Sequence, residues 1–249
     1  MIIILFSVFE NIEFTTFSKS IGFSYYSLNE QASSLNPALT GIEKYSLAFD
    51  YMKLYSVADM GRIYASFRNI GISIFYRKIE ELQNEGIFSL SYGLRLNDDA
   101  RIGFNLKGFY LYQKEFNSDY TFGFDIGFHT KLWRLWSIGF VISNINKPSF
   151  GINNTYEIEP KFGFGVSYSP SQYLESSFGF EKEMGKDVRF LFGNILKLSD
   201  YLILQAGLHS SPYEPTFGIK IATKFVSFNF AFIYNNELPS NYSIGVEIK

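Results

Sequence analysis

The sequence predicts an all-β chain, an antiparallel transmembrane β-barrel of about 14 strands preceded by a short N-terminal helix or plug segment. Three observations carry this. From Tyr45 onward, bulky apolar residues alternate with small or polar ones at a period of two, the mark of strands whose faces meet different environments. Aromatic residues make up 19% of the 249-residue chain and charged residues only 18%, against about 25% charged in ordinary soluble domains. No second helical pattern interrupts the strands, and no apolar run is long enough for a membrane-spanning helix.

The N-terminal region comes first. Met1–Phe9, MIIILFSVF, has the length of a signal-peptide core but lacks a basic n-region and a small-x-small cleavage site. Residues 1–20 are therefore read as an export signal or a first strand, residues 21–44 as a plug segment, and residues 45–249 as the barrel, all in one domain. Ser27–Gly41, SLNEQASSLNPALTG, is the one stretch after residue 20 that does not read as strand. Ser27 with Glu30 three residues on forms a capping-box pattern. Pro37 ends that helical turn near Asn36, because the residue before a proline is pushed out of helical geometry. Inside a barrel, Asn36 is expected to bond the wall or the segment's own backbone, since polar groups deprived of water need partners.

The strands follow in order. Tyr120, Phe122, Phe124, Ile126 and Phe128 share one face of the clearest segment, opposite Gly123, Asp125, Gly127 and His129. Phe225–Tyr234 and Arg101–Gln113 repeat the pattern. A large apolar residue, a glycine and another large apolar residue recur at Ile102-Gly103-Phe104, Phe122-Gly123-Phe124, Ile138-Gly139-Phe140 and five further places. Glycine at a constant phase in strand interiors predicts a curved sheet with little room on its concave side. Lys147–Glu159 is the expected extended surface loop.

The composition of the two faces selects a membrane barrel over a soluble sandwich. The apolar face is bulky and free of charge, and a Lys or Arg at the lipid midplane would cost about 2–4 kcal/mol. By phase, Arg62, Arg68, Arg77, Arg95, Lys107, Asp125, Glu175, Glu181, Lys220 and Glu247 point into the lumen, where opposite signs can pair. Trp133, Trp136, Tyr110, Tyr112 and Tyr234 fall near strand ends, as interfacial girdles require. Substitutions on the polar face, such as Ser227→Arg or Gly123→Ser, are expected to be milder than Phe228→Arg or Phe124→Arg on the other. The lipid bilayer is thus the expected partner and a bacterial outer membrane the expected location.

Several chemistries are excluded. A net charge of −2 gives no basic face for nucleic acid. With no cysteine and only His129 and His209, no zinc site, cofactor site or other metal site is expected. A Ser-His-Asp barrel hydrolase is a distant alternative, because no nucleophile-elbow sequence is present. No catalytic residue is assigned, and the chain is read as non-enzymatic.

Gln31–Leu39, QASSLNPAL, followed at once by a strand, resembles the Asn-Pro-Ala segment of outer-membrane barrels related to PorV and PorQ, within the wider group of long-chain fatty-acid transporters. The C-terminal third is similar to that family's closing hairpins in its order: YLILQAG from Tyr201, PTFGIKI from Pro215, Phe228–Tyr234, and YSIGVEI from Tyr242. The resemblance spans most of the chain. It implies a 14-stranded barrel with N-terminal residues in or under the lumen, and a service role in type IX secretion with secretion-system proteins as partners. The alternative it carries is transport of a hydrophobic ligand. Two departures stand out: Lys249 takes the place of a terminal aromatic, and the chain is shorter than most relatives.

Overall fold

The alternation expresses itself as fourteen strands that close on themselves. In chain order they are β1 (Tyr45–Leu54), β2 (Ala58–Phe67), β3 (Ile70–Ile79), β4 (Gln83–Arg95), β5 (Ala100–Gln113), β6 (Asn117–Leu132) and β7 (Trp136–Ser143), then β10 (Lys161–Ser171), β11 (Leu174–Glu183), β12 (Arg189–Lys197), β13 (Leu202–Ser210), β14 (Tyr213–Ala222), β15 (Val226–Ile233) and β16 (Asn241–Ile248). Between β7 and β10, the 144–160 loop carries a separate two-stranded hairpin, β8 (Ser149–Phe150) with β9 (Tyr156–Glu157). All barrel neighbours are antiparallel and consecutive, and β1 pairs with β16 to shut the ring. The computed structural model describes residues 8–10, 12–24, 26–28, 35–42, 45–114, 117–151 and 156–248.

One end of the barrel has turns of two to four residues, as at 68–69 and 172–173; the other holds the longer 144–160 and 234–240 connections. In outer-membrane barrels the short turns face the periplasm and the longer loops face outward, so these are called the turn end and the loop end. The outer wall is apolar: Phe122 is 68% exposed, Phe228 53% and Ile219 44%. Such a continuous apolar surface is stable against lipid and not against water. Phe128, Phe140, Phe162 and Phe180 form a ladder of rings across β6, β7, β10 and β11, with centroids 5.4–6.4 Å apart. Trp136 stacks on Tyr168 at 4.5 Å at the turn end, and Tyr110 meets Tyr120 at 5.1 Å at the loop end. This is a barrel of the bacterial outer membrane.

The lumen is filled by the chain's own N-terminal segment. A short helix, α1 (Thr16–Ser20), starts at Thr15, whose hydroxyl accepts from the Ser18 amide at 2.8 Å while the Ser18 hydroxyl accepts from the Thr15 amide at 3.0 Å. From there the segment follows the inner wall almost all the way round. It touches β1 and β16 at Thr16, β13 at Ser20, β14 at Gly22, β11 at Ser24, β7 and β6 at Ser27, and β4 at Thr40. It is a belt laid against the wall, on the turn-end side of the lumen.

Glycines make the track for this belt. At Gly103, Gly127, Gly139 and Gly207 a Cβ would collide with Pro37, Asn36, Tyr26 and Ile21 respectively. The concave side therefore has little room, as the repeated apolar-glycine-apolar unit predicts, and the occupant is the belt backbone. Gly22 adds a second constraint from the belt itself, with φ +60° and the Leu208 backbone where its side chain would be.

The N-terminal segment and the interior face differ from expectation. A capped helix lies earlier, at Thr16–Ser20 behind its N-cap Thr15; Ser27 is buried with its carbonyl as the working group, and the turn expected after it, with Glu30, falls on residues 29–34, outside the described residues. Pro37 begins a single 3-10 turn, Pro37–Leu39, where its missing N–H costs nothing. Belt residues also begin before residue 21, since Ile12, Phe14 and Phe17 are already buried in the lumen. The interior face is not lenient either: the Ser227 hydroxyl donates to Glu247 at 3.3 Å, and a Cβ at Gly123 would stand 2.6 Å from the Phe109 ring.

Candidate functional site

The belt is held by one polar group after another. The Thr16 amide donates to Asp50 at 2.8 Å, and its hydroxyl shares a hydrogen with Ser243 at 2.8 Å. Thr216 accepts from the Gly22 amide at 3.0 Å and donates to the Ser20 carbonyl at 3.1 Å. The Ser27 carbonyl accepts from Ser137 at 2.5 Å and from His129 Nε2 at 3.1 Å. Asn36 does both things required of it: its amide donates to the belt carbonyl of Tyr26 at 3.1 Å and the wall carbonyl of Phe128 at 3.4 Å, while its oxygen accepts from the Ala38 amide at 3.1 Å. Arg101 reaches in with two nitrogens, donating to the carbonyls of Ala38 and Thr40 at 3.0 Å each. A backbone without helix or sheet partners is thereby satisfied inside the lumen.

Toward the loop end the segment leaves the wall and crosses the lumen. Phe9 sits edge-on to Phe109 at 5.1 Å and stacked on Phe150 at 5.4 Å, closing the space beneath the 144–160 loop. Above it opens a recess of about 590 Å³, with Val8, Phe9, Ile12, Tyr156, Ile158 and Met184 among its lining residues. Charged groups anchor the crossing. Arg77 pairs with Glu85 at 2.7 Å and donates to the Glu10 carbonyl at 2.7 Å, and Glu85 accepts from the Phe9 amide at 3.0 Å. Lys107 lies 2.7 Å from both Glu13 and Asp125. Each buried charge has an opposite partner, without which a lumen of this kind would not fold.

Lys19 is the exception among the described residues. Its ammonium lies 4.0 Å from the Phe23 ring centre and 5.7 Å from that of Phe14, with no carboxylate at ion-pair distance. It faces an inner cavity of about 190 Å³ shared with Tyr55, His209 and Glu214. Burial pulls it down from its ordinary value to about 7, against an upward pull from Glu214. His209 Nε2 stands 2.9 Å from Glu214, which also accepts from Asn235 at 2.5 Å and Tyr55 at 3.3 Å.

The sequence-predicted lumen residues separate into distinct places. Ser27, Asn36 and Pro37 belong to the belt. Arg62 pairs with Asp50 beneath α1, and Lys107 and Asp125 lie under the mouth with Glu13. Arg77, Glu181, Lys220 and Glu247 are inside as well. Arg95 is not: it has the inward phase but ends its strand, stands 59% exposed and pairs with Asp98 in the turn. Arg68 likewise sits in a turn, over the Phe67 ring. Neither histidine joins a serine hydroxyl and a carboxylate among the described residues, since His129 bonds a carbonyl and His209 stands against Glu214. Sequence reasoning missed Phe9, Glu10, Glu13 and Lys19. The signal was Phe109, Leu111 and Ile233, large apolar residues in the inward phase that a watery lumen would not take.

Solved structures with the same architecture decide the fold relationship. The CymD monoaromatic hydrocarbon channel superposes with a TM-score of 0.69 at 13% identity, covering 97% of both chains. The Pseudomonas putida toluene transporter TodX matches with a TM-score of 0.66 at 8% identity, over 96% of this chain and 97% of that one. A Pseudomonas aeruginosa FadL homologue gives 0.65 at 10% identity, over 94% and 98%. The fold is that of these channels. A family model described as "F plasmid transfer operon, TraF, protein" matches residues 85–177, less than half of the chain. No curated protein matches. The wider fatty-acid-transporter group implied by the sequence is thus the structural neighbourhood, whereas PorV, PorQ and type IX secretion gain no support from these likenesses.

Proposed function

We propose that the protein is an outer-membrane channel for hydrophobic small molecules, with the belt as its gate. The observation that carries this is the mouth: a recess with Phe9, Ile12, Tyr156 and Ile158 in its lining, closed below by the protein's own N-terminal segment. A scaffold for other proteins has no use for a recess floored by apolar side chains, while a ligand path does. The belt supports the gating role because it is attached to the wall through side chains and single carbonyls, not through a strand ladder. Its contacts can be exchanged one at a time while the barrel stays intact. The fold shared with the hydrocarbon channels adds support.

Uptake tests this directly. In a Gram-negative host whose own channels for hydrophobic compounds are deleted, the protein should raise uptake of labelled p-xylene several-fold above the empty host. No rise, with the barrel folded in the outer membrane, would contradict the reading.

A further inference from the structure

The mouth recess combines its apolar floor with an uneven ring of charge. Seven carboxylates line it against three cations. All three cations are already engaged. Lys186 lies between Glu10 and Glu183 at 2.9 Å from each, and Arg189 and Lys161 both contact Glu181, the latter at 3.7 Å. The groups behind the ring do not reverse the sign: Lys107 is shared by Glu13 and Asp125, and Lys147 stands 3.5 Å from Glu159. Glu157 and Asp187 have no ion pair among the described residues.

A molecule descending to Phe9 must shed its water in this ring. For an uncharged apolar molecule that step is favourable, because water leaves apolar surface on both sides. For a carboxylate it is unfavourable twice over. Its hydration is lost with no free cation to replace it, and the excess negative charge is focused by the low-dielectric walls of the cleft. The inner cavity does not offset this, since its one cation without a carboxylate partner, Lys19, lies behind the closure formed by Phe9 and the belt.

We propose that the mouth selects by charge, admitting uncharged hydrophobic molecules and rejecting carboxylates of the same size and shape. This rests on the channel reading above and names its substrate class: neutral hydrocarbons and their uncharged derivatives, as opposed to fatty or aromatic acids. Glu157 and Asp187, exposed on the loops and outside every ion pair, set the discrimination without holding the fold.

The test uses p-xylene and 4-methylbenzoate, which differ by a methyl in place of a carboxylate. Uptake above the empty host is measured at pH 7 for the native protein and for the Glu157→Lys/Asp187→Lys double variant. Heat-modifiable migration confirms that both barrels are folded. The native protein should take up p-xylene at least ten-fold faster than 4-methylbenzoate. The double variant should raise 4-methylbenzoate uptake at least five-fold and leave p-xylene within two-fold. Equal uptake of the two compounds by the native protein would overturn charge selection while leaving the channel reading intact. So would a double variant whose 4-methylbenzoate uptake does not change. Entry of neither compound through a folded native barrel would overturn the channel reading, and this proposal with it.

Discussion

A single methyl group at Gly139 should unseat the belt. The new Cβ would collide with the Tyr26 carbonyl oxygen and stand 2.8 Å from its carbon and 3.3 Å from Ser27 Cα. To restore ordinary contact the belt must retreat by about 1.5 Å, on the overpacking argument that a well-packed interior yields only by displacement. Three hydrogen bonds converge at that point: Ser137 and His129 on the Ser27 carbonyl, and Asn36 on the Tyr26 carbonyl. Each contributes about 1 kcal/mol, and overpacking adds roughly 1–3 kcal/mol. Together these shift the seated-to-unseated ratio by about three to four orders of magnitude, at roughly 1.4 kcal/mol per decade. A 14-stranded ring lies between the filled eight-stranded barrels and the open sixteen-stranded porins, so an unseated belt leaves an aqueous path. In planar bilayers, Gly139→Ala should spend far more time conducting than the native protein. Gly108→Ala is the control, since Gly108 faces outward and its Cβ would meet only the Phe122 ring at 3.8–4.0 Å. A folded Gly139→Ala barrel with native conductance would refute the reasoning.

Two further predictions follow from the same packing. Phe228→Arg, on the lipid face, should weaken folding into bilayers by about 2–4 kcal/mol if measured by urea titration, and Ser227→Arg should also be costly because Ser227 is buried against Glu247. An innocuous Ser227→Arg would show that the lumen yields more than its contacts imply. Lys19 predicts a pH dependence. Its folded value of about 7 lies below the ordinary 10.5, so the unfolded chain holds the extra proton between those values. Stability of belt docking, followed by protease protection, should therefore rise from pH 7 toward 10, and Lys19→Met should flatten that rise.

The barrel was legible because alternation survives in nearly every strand, and the membrane was legible because the outer face carries Phe122, Phe124, Phe228 and Phe230 without a charge among them. The glycine spacing foretold a crowded concave side but not what crowds it. The belt has no period to read: its bonds run to the wall, and among the described residues its helical structure is α1 and the Pro37 turn. The capping box of α1 uses Ser18 as the reciprocal partner of Thr15, a pairing that a search for Ser/Thr followed by Glu or Gln passes over. Pro37 reads equally as a stop or as a first turn, and only the Asn36 side chain on the Ala38 amide settles which. Arg95 shows that phase assigns a face but not a depth, since a side chain at a strand end can reach water. Phe9 and Glu13 were hidden for a different reason. They act by long-range contact with Phe109 and Lys107, which only the closed ring brings within reach.

The most direct test of the gate is to fasten the belt to the wall. Ser24 on the belt and Ser177 on β11 have hydroxyl oxygens 2.7 Å apart, and the chain contains no cysteine of its own. In the Ser24→Cys/Ser177→Cys variant, oxidation should lock the belt in place and reduce p-xylene uptake at least ten-fold. Reduction should restore it, and each single variant should behave as the native protein under both conditions. Undiminished uptake through a fully cross-linked barrel would contradict the gate.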